Sequence, residues 1–121
     1  MDTVQSKGHY LGTEIDASWW RRYKKDNYFM RGTGVYWLDD ENLYFLRHLT
    51  EEPITIPFSK LQKITMGSWH AGKWTGRPIV KVHWTNEGKE LCSGFAVSKN
   101  KDIANGFKIA LEGKISDSVA N

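Results

Sequence analysis

The sequence predicts a mainly β domain in which short antiparallel strands form a curved sheet or barrel, covered by one C-terminal helix. Three observations carry this. Between residues 32 and 97, runs of β-branched, aromatic and aliphatic residues alternate with turn-forming clusters. Past residue 98 the apolar period changes from that of a strand to that of a helix. The 121 residues suffice for a single domain, burying roughly 65 to 70% of the surface of the unfolded chain, and no linker, repeat or low-complexity tract divides them.

Residues 1–31 form an N-terminal extension with a polar start, an apolar patch at Tyr10-Leu11 and the segment Ser18-Trp19-Trp20-Arg21-Arg22-Tyr23-Lys24-Lys25. Asp16 or Ser18 can cap a short helix through Tyr23, an irregular loop being the other reading. From Gly32 the pattern sharpens. Val35-Tyr36-Trp37-Leu38 and Leu43-Tyr44-Phe45-Leu46 are strands joined by Asp39-Asp40-Glu41-Asn42, a hairpin turn of acidic and amide residues. Ile54-Thr55-Ile56 alternates with period two, and prolines at 53 and 57 mark it as a short edge strand. A strand over Leu61 to Met66 follows the Ser59-Lys60 bend.

Residues 69–78 read as an opening loop before the next strand. In Ile79 to Trp84, Val80, Val82 and Trp84 share one face, and Ile79, Lys81 and His83 share the other, which is expected to be wet. Asn86-Glu87-Gly88 signals a hairpin, and Glu90 to Val97 is the last strand, with Gly94 inside it marking a bulge or a close backbone approach. Ile103, Phe107, Ala110 and Leu111 then make the stripe of an amphipathic helix over about residues 99–112, with Ser98 as N-cap and Gly113 just past its end.

Gly34 to Phe45, a glycine-opened hairpin with Leu38-Asp39-Asp40 at its turn, together with Ile56-Pro57-Phe58-Ser59-Lys60-Leu61 and the order of elements, resembles the bacterial and GRAM-like branch of the pleckstrin-homology (PH)-like superfamily. The resemblance covers residues 32–113, and Tyr10 to Ile15 would supply its first strand. It implies a seven-stranded bent barrel or sandwich of antiparallel strands, capped by the C-terminal helix and used to bind lipids or proteins. It also implies a lipid site fed by basic residues between the first two strands. Arg21, Arg22, Lys24, Lys25 and Arg31 lie in that connection, without a full basic motif.

Composition ranks functions down more than it selects one. Six Trp, five Tyr and five Phe in so small a chain place some rings at the surface, where rings meet partners or membrane interfaces. A formal net charge of +3 is compatible with an anionic partner. The single cysteine excludes an internal disulfide, and no signal peptide or long apolar run stands out, so the reading is cytoplasmic, with peripheral membrane association allowed.

Two clusters are candidate ligand-binding surfaces. In the first, Trp19, Trp20, Arg21, Arg22, Lys24 and Lys25 alternate rings with cations, suiting phosphates and headgroups; the competing reading packs the indoles over an open end of the barrel. In the second, His70, Lys73, Trp74 and Arg77 can converge on an anion, with Gly72 and Gly76 permitting close approach or positive φ; the competing reading folds Trp69 and Trp74 back onto the domain. No metal site is expected, because the four histidines show no close ligand spacing and Cys92 has no neighbouring cysteine; no cofactor is expected either. Asp39, Asp40 and Glu41 point apart on a tight turn, and no serine sits in a nucleophile elbow, so catalysis is not expected. The expectation is a non-catalytic module for a protein partner, an anionic membrane or a phosphate ligand. Single-stranded nucleic acid, or self-association through the edge strand near Ile54, stands as the alternative.

Overall fold

The computed structural model describes residues 6–15, 18–22, 28, 31–50, 52–70 and 73–120, and the side chains of all these except 18–22, 69, 73–75 and 116–120. The strands are β1 (Ser6–Ile15), β2 (Ser18–Arg22), β3 (Gly32–Leu38), β4 (Asn42–Arg47), β5 (Ile54–Pro57), β6 (Leu61–His70), β7 (Lys73–Asn86) and β8 (Lys89–Ala96); the helix is α1 (Lys101–Ala120). All lie in one antiparallel sheet of order β5-β4-β3-β1-β8-β7-β6, with β2 added alongside β1. The path of seven strands starts at β5 and ends at β6, so the sheet is an open, bent sandwich and not a closed barrel. Helix α1 packs on β6, β7 and the 3-10 turn at Phe58–Lys60.

Local chemistry sets the β3–β4 hairpin. Asp39 Oδ1 accepts hydrogen bonds from the backbone N–H of Glu41 (2.7 Å) and Asn42 (2.8 Å), and the Tyr44 hydroxyl donates to its Oδ2 (2.7 Å). An Asx turn of this kind closes a hairpin without tertiary help. The Ile54 strand is at the sheet edge, as its prolines require, with Ile54 and Ile56 buried. At the β7–β8 turn Glu87 and Gly88 both take positive φ, 54° and 77°, the conformation of a two-residue turn matched to strand twist.

Alternation sends Tyr10, Phe45, Val80, Val82, Trp84, Leu91 and Phe95 into one core, which Ala104, Phe107 and Leu111 of α1 cover. A polar chain runs through it. Trp84 Nε1 donates to Ser93 Oγ (3.0 Å), Ser93 and Thr13 hydroxyls bond at 2.6 Å, Thr13 bonds the Tyr10 hydroxyl, and that hydroxyl donates to the Tyr28 carbonyl (2.7 Å). The ends fix the direction: with an N–H at one end and a carbonyl at the other, each hydroxyl donates once and accepts once, leaving no donor of the chain unsatisfied. Tyr28 also sets its ring 5.2 Å from that of Trp84, tilted by 52°, and donates its hydroxyl to the Thr55 carbonyl, so it ties the N-terminal extension into the core.

Three expectations fail here. Residues 18–22 form a strand on β1, not a short helix, because sheet pairing at Ile15↔Ser18 and Glu14↔Arg22 outweighs the local capping pattern. The helix starts later and runs farther than 99–112. Its cap is Asn100, whose Oδ1 accepts the Asp102 N–H (2.8 Å), while Ser98 bonds only the Asn100 N–H, and Gly113 lies inside the helix. The buried stripe is Ala104, Phe107 and Leu111, whereas Ile103 is 54% exposed and Ala110 faces solvent, a rotation of the helix set by the larger Phe107 ring against Tyr36 and Phe95. Finally, the face of β7 opposite the core is not simply wet: Ile79 is fully buried on it. No helix among the described residues is long and apolar enough to cross a membrane.

Candidate functional site

The stretch read as an opening loop is a paired hairpin. β6 continues to His70 and β7 starts at Lys73, with Trp69↔Trp74 and His70↔Lys73 in register. Between Gly67↔Ile79 and Trp69↔Trp74 the register shifts, so β7 carries the extra residues, among them Gly76 with φ 71° and the half-buried Pro78. Such a bulge bends a hairpin sharply. Its two sides meet different environments.

Before the bend lies a groove of about 680 Å³ between the end of β6 and the first turns of α1. β6 supplies Met66, Gly67 and Ser68, the bulge supplies Gly76, Arg77 and Pro78, and the helix supplies Lys101, Asp102 and Asn105. Arg77, Lys101, Asp102 and Asn105 are exposed. β6 ends the sheet order, so the groove runs beside a sheet edge, where backbone N–H and C=O groups can take another strand.

Beyond the bend the last residue of β6, His70, lies over the outer face of β1 and β8. The His70 ring sits on Gly94, where an added Cβ would stand 2.5 Å from the ring, which is the close approach that a glycine inside a strand signals. Its Nε2 bonds the Gly12 carbonyl at 3.0 Å. Gly12, at φ 94°, marks a bulge in β1 where the register with β8 shifts, and carbonyls there turn to side chains: Leu11 takes the Arg31 Nε–H (3.2 Å) and Gly12 takes His70.

In register on the same face are Glu14 of β1 and Cys92 of β8, with His83 of β7 paired to Cys92. One ligand atom from each of Glu14, His70 and Cys92 lies within 4.8 Å of the other two, and all three residues are buried. His70 Nδ1 is 4.0 Å from Glu14 Oε2 and has no hydrogen-bond partner among the described residues. His83 Nε2 bonds Thr65 Oγ1 at 2.8 Å and stands 3.9 Å from Cys92 Sγ.

Burial pushes the His70 imidazole down to about 4, against the pull of the Glu14 carboxyl and the bond to Gly12, and Lys81 and Arg31 lower it further. At neutral pH the ring is therefore uncharged, and its contact with Glu14 is not an ion pair. Burial, then Glu14, push the Cys92 thiol up to about 12, so it is no ready nucleophile. Burial also lowers His83, with Lys63 and Lys81 adding to it.

The predicted anion cluster at 69–78 is thus divided. His70 is fully buried over β8 and does not join Arg77, which lines the groove with Lys101. Lys73 and Trp74 are placed on β7 by their backbone, and Trp19, Trp20, Arg21 and Arg22 on β2, with side chains outside the described residues; Lys24, Lys25 and Gly72 also lie outside them. Sequence reasoning missed the grouping of Glu14, His70 and Cys92 because its members come from three strands and no motif spacing links them; only the glycine at position 94 hinted at what lies above it. It likewise missed Lys101, Asp102 and Asn105, which line the groove from the start of α1.

The profile of a family described as bacterial PH domain-like matches residues 1–109. No curated protein matches the chain.

Proposed function

This chain belongs to the bacterial PH domain-like family, and on that footing we propose that it is a non-catalytic interaction module which binds an extended segment of a protein partner in the groove between β6 and α1. The observation that carries the reading is an accessible groove of about 680 Å³ beside the terminal strand of an open sheet. Strand addition at such an edge takes its affinity from main-chain hydrogen bonds and its specificity from side chains beside the edge. Arg77 and Lys101, at the groove with the first turn of α1, favour a segment bearing an acidic group there, and Met66, 36% exposed, offers apolar contact.

The test is a library of extended peptides screened against the purified chain by fluorescence polarisation. Acidic binders that lose at least about tenfold in affinity, roughly 1.4 kcal/mol, on Arg77→Ala, and that are blocked by Asn105→Trp, support the reading. Co-sedimentation with phosphatidylserine vesicles at low salt, in a chain that binds no peptide, would replace it with a membrane function. A shift with single-stranded oligonucleotides alone, or a dimer by light scattering that Asn105→Trp disperses, would replace it with the nucleic-acid or self-association alternative.

A further inference from the structure

We propose that Glu14, His70 and Cys92 form a binding site for one divalent metal ion of the zinc class, on the outer face of β1 and β8 beneath the end of β6. The placement of the three ligands follows from topology. The Glu14↔Cys92 pairing sets a carboxyl and a thiol side by side, and the hairpin bend brings an imidazole over them at the one position on β8 that carries no side chain.

The orientation of His70 is the second observation. A neutral imidazole has one N–H and one lone pair. The Gly12 carbonyl accepts only, so Nε2 holds the proton and Nδ1 presents its lone pair. That lone pair is fully buried, meets no donor among the described residues, and lies 4.0 Å from Glu14 Oε2. A backbone carbonyl on the far nitrogen is the arrangement that fixes a metal-ligating histidine in its ligating tautomer.

Donor identity selects the ion. One nitrogen, one sulfur and one oxygen suit zinc-class metals, whereas magnesium and calcium ask for oxygen alone and Cu(I) for sulfur. Donors around a tetrahedral ion with bonds of about 2.0–2.3 Å lie about 3.3–3.8 Å apart, so a trio within 4.8 Å closes by a contraction of about 1 Å. As the sulfur–metal bond forms, the Cys92 thiol proton leaves to water. Glu14 and the resulting thiolate then offset the charge of the ion, in a site where Lys81 and Arg31 contribute positive potential. His83, held by Thr65, stands at the edge of the site, and the fourth position is left to water.

The test uses the untagged full chain, stripped with a chelator and titrated with Co²⁺, followed by displacement with Zn²⁺. The expected result is one equivalent of cobalt with the intense visible bands of a tetrahedral site and a thiolate-to-cobalt charge-transfer band. Cys92→Ser and His70→Gln are each expected to weaken binding by about 100-fold or more, while exposed His48→Gln leaves it unchanged. Cobalt bound without a charge-transfer band, no saturable binding, or a Cys92→Ser chain of wild-type affinity would each overturn the proposal. Should the variants not fold, the charge-transfer band still decides the matter, since the chain has a single cysteine.

Discussion

The β3–β4 and β6–β7 hairpins are built on opposite principles. In the first, Asp39 closes the turn through bonds to its own neighbours, all of them within the hairpin. In the second, the path is set from a distance: a bulge bends the strands, and the end of β6 comes to rest because His70 fits over Gly94 and bonds Gly12. A hairpin closed by local bonds forms a scaffold. One positioned by a tertiary contact can carry different chemistry on its two sides, here an open groove before the bend and a buried ligand set beyond it.

The contrast breaks most readily at Gly94. Gly94→Ala places a methyl group against the His70 ring, and we expect a loss of about 1–3 kcal/mol in urea unfolding, with weaker metal binding because the imidazole is displaced. An unchanged midpoint would mean that His70 is not seated on β8. The local hairpin gives a smaller effect. Asp39→Ala should cost about 1 kcal/mol and leave cobalt binding intact, since its bonds stay within the turn.

Asp39 also sharpens the comparison through pH. Slight burial raises its carboxyl, but the Glu41 N–H, the Tyr44 hydroxyl, the Asn42 N–H and the charge of Lys114 together hold it below the ordinary 3.8. The folded state therefore favours the ionised form. This contribution is complete well above pH 3.8 and is lost as pH falls past 3.8 and through the lower folded value, so the acid limb of a stability profile should flatten in Asp39→Ala. An identical limb in the variant would show that the turn bonds do not bias this equilibrium.

The same contrast explains what the sequence revealed. Period-two runs and turn chemistry located β3, β4, β5 and the β7–β8 turn, because short-range preferences determine those elements. Residues 18–22 misled for a physical reason: a Ser and an Asp that can cap a helix are neutral once a neighbouring strand supplies hydrogen bonds. Helix α1 was visible by period, but its rotation was not, since a choice between Ile103 and Ala104 is made by the rings it meets. The PH-like resemblance was legible in the hairpin at 34–45 and agrees with the family match over residues 1–109. The site was the least legible part. Gly94 announced a close approach without naming its partner, and Glu14, His70 and Cys92 meet only after strand register and a bulge have been imposed.

The metal site turns on His70 holding its proton on Nε2 and leaving its Nδ1 lone pair beside Glu14. Long-range proton–nitrogen correlation NMR of the imidazole at neutral pH reads this directly. The Nε2–H tautomer is expected in the metal-free chain, with a large shift confined to Nδ1 on adding one equivalent of Zn²⁺. A proton on Nδ1, or a spectrum that zinc leaves unchanged, would contradict it.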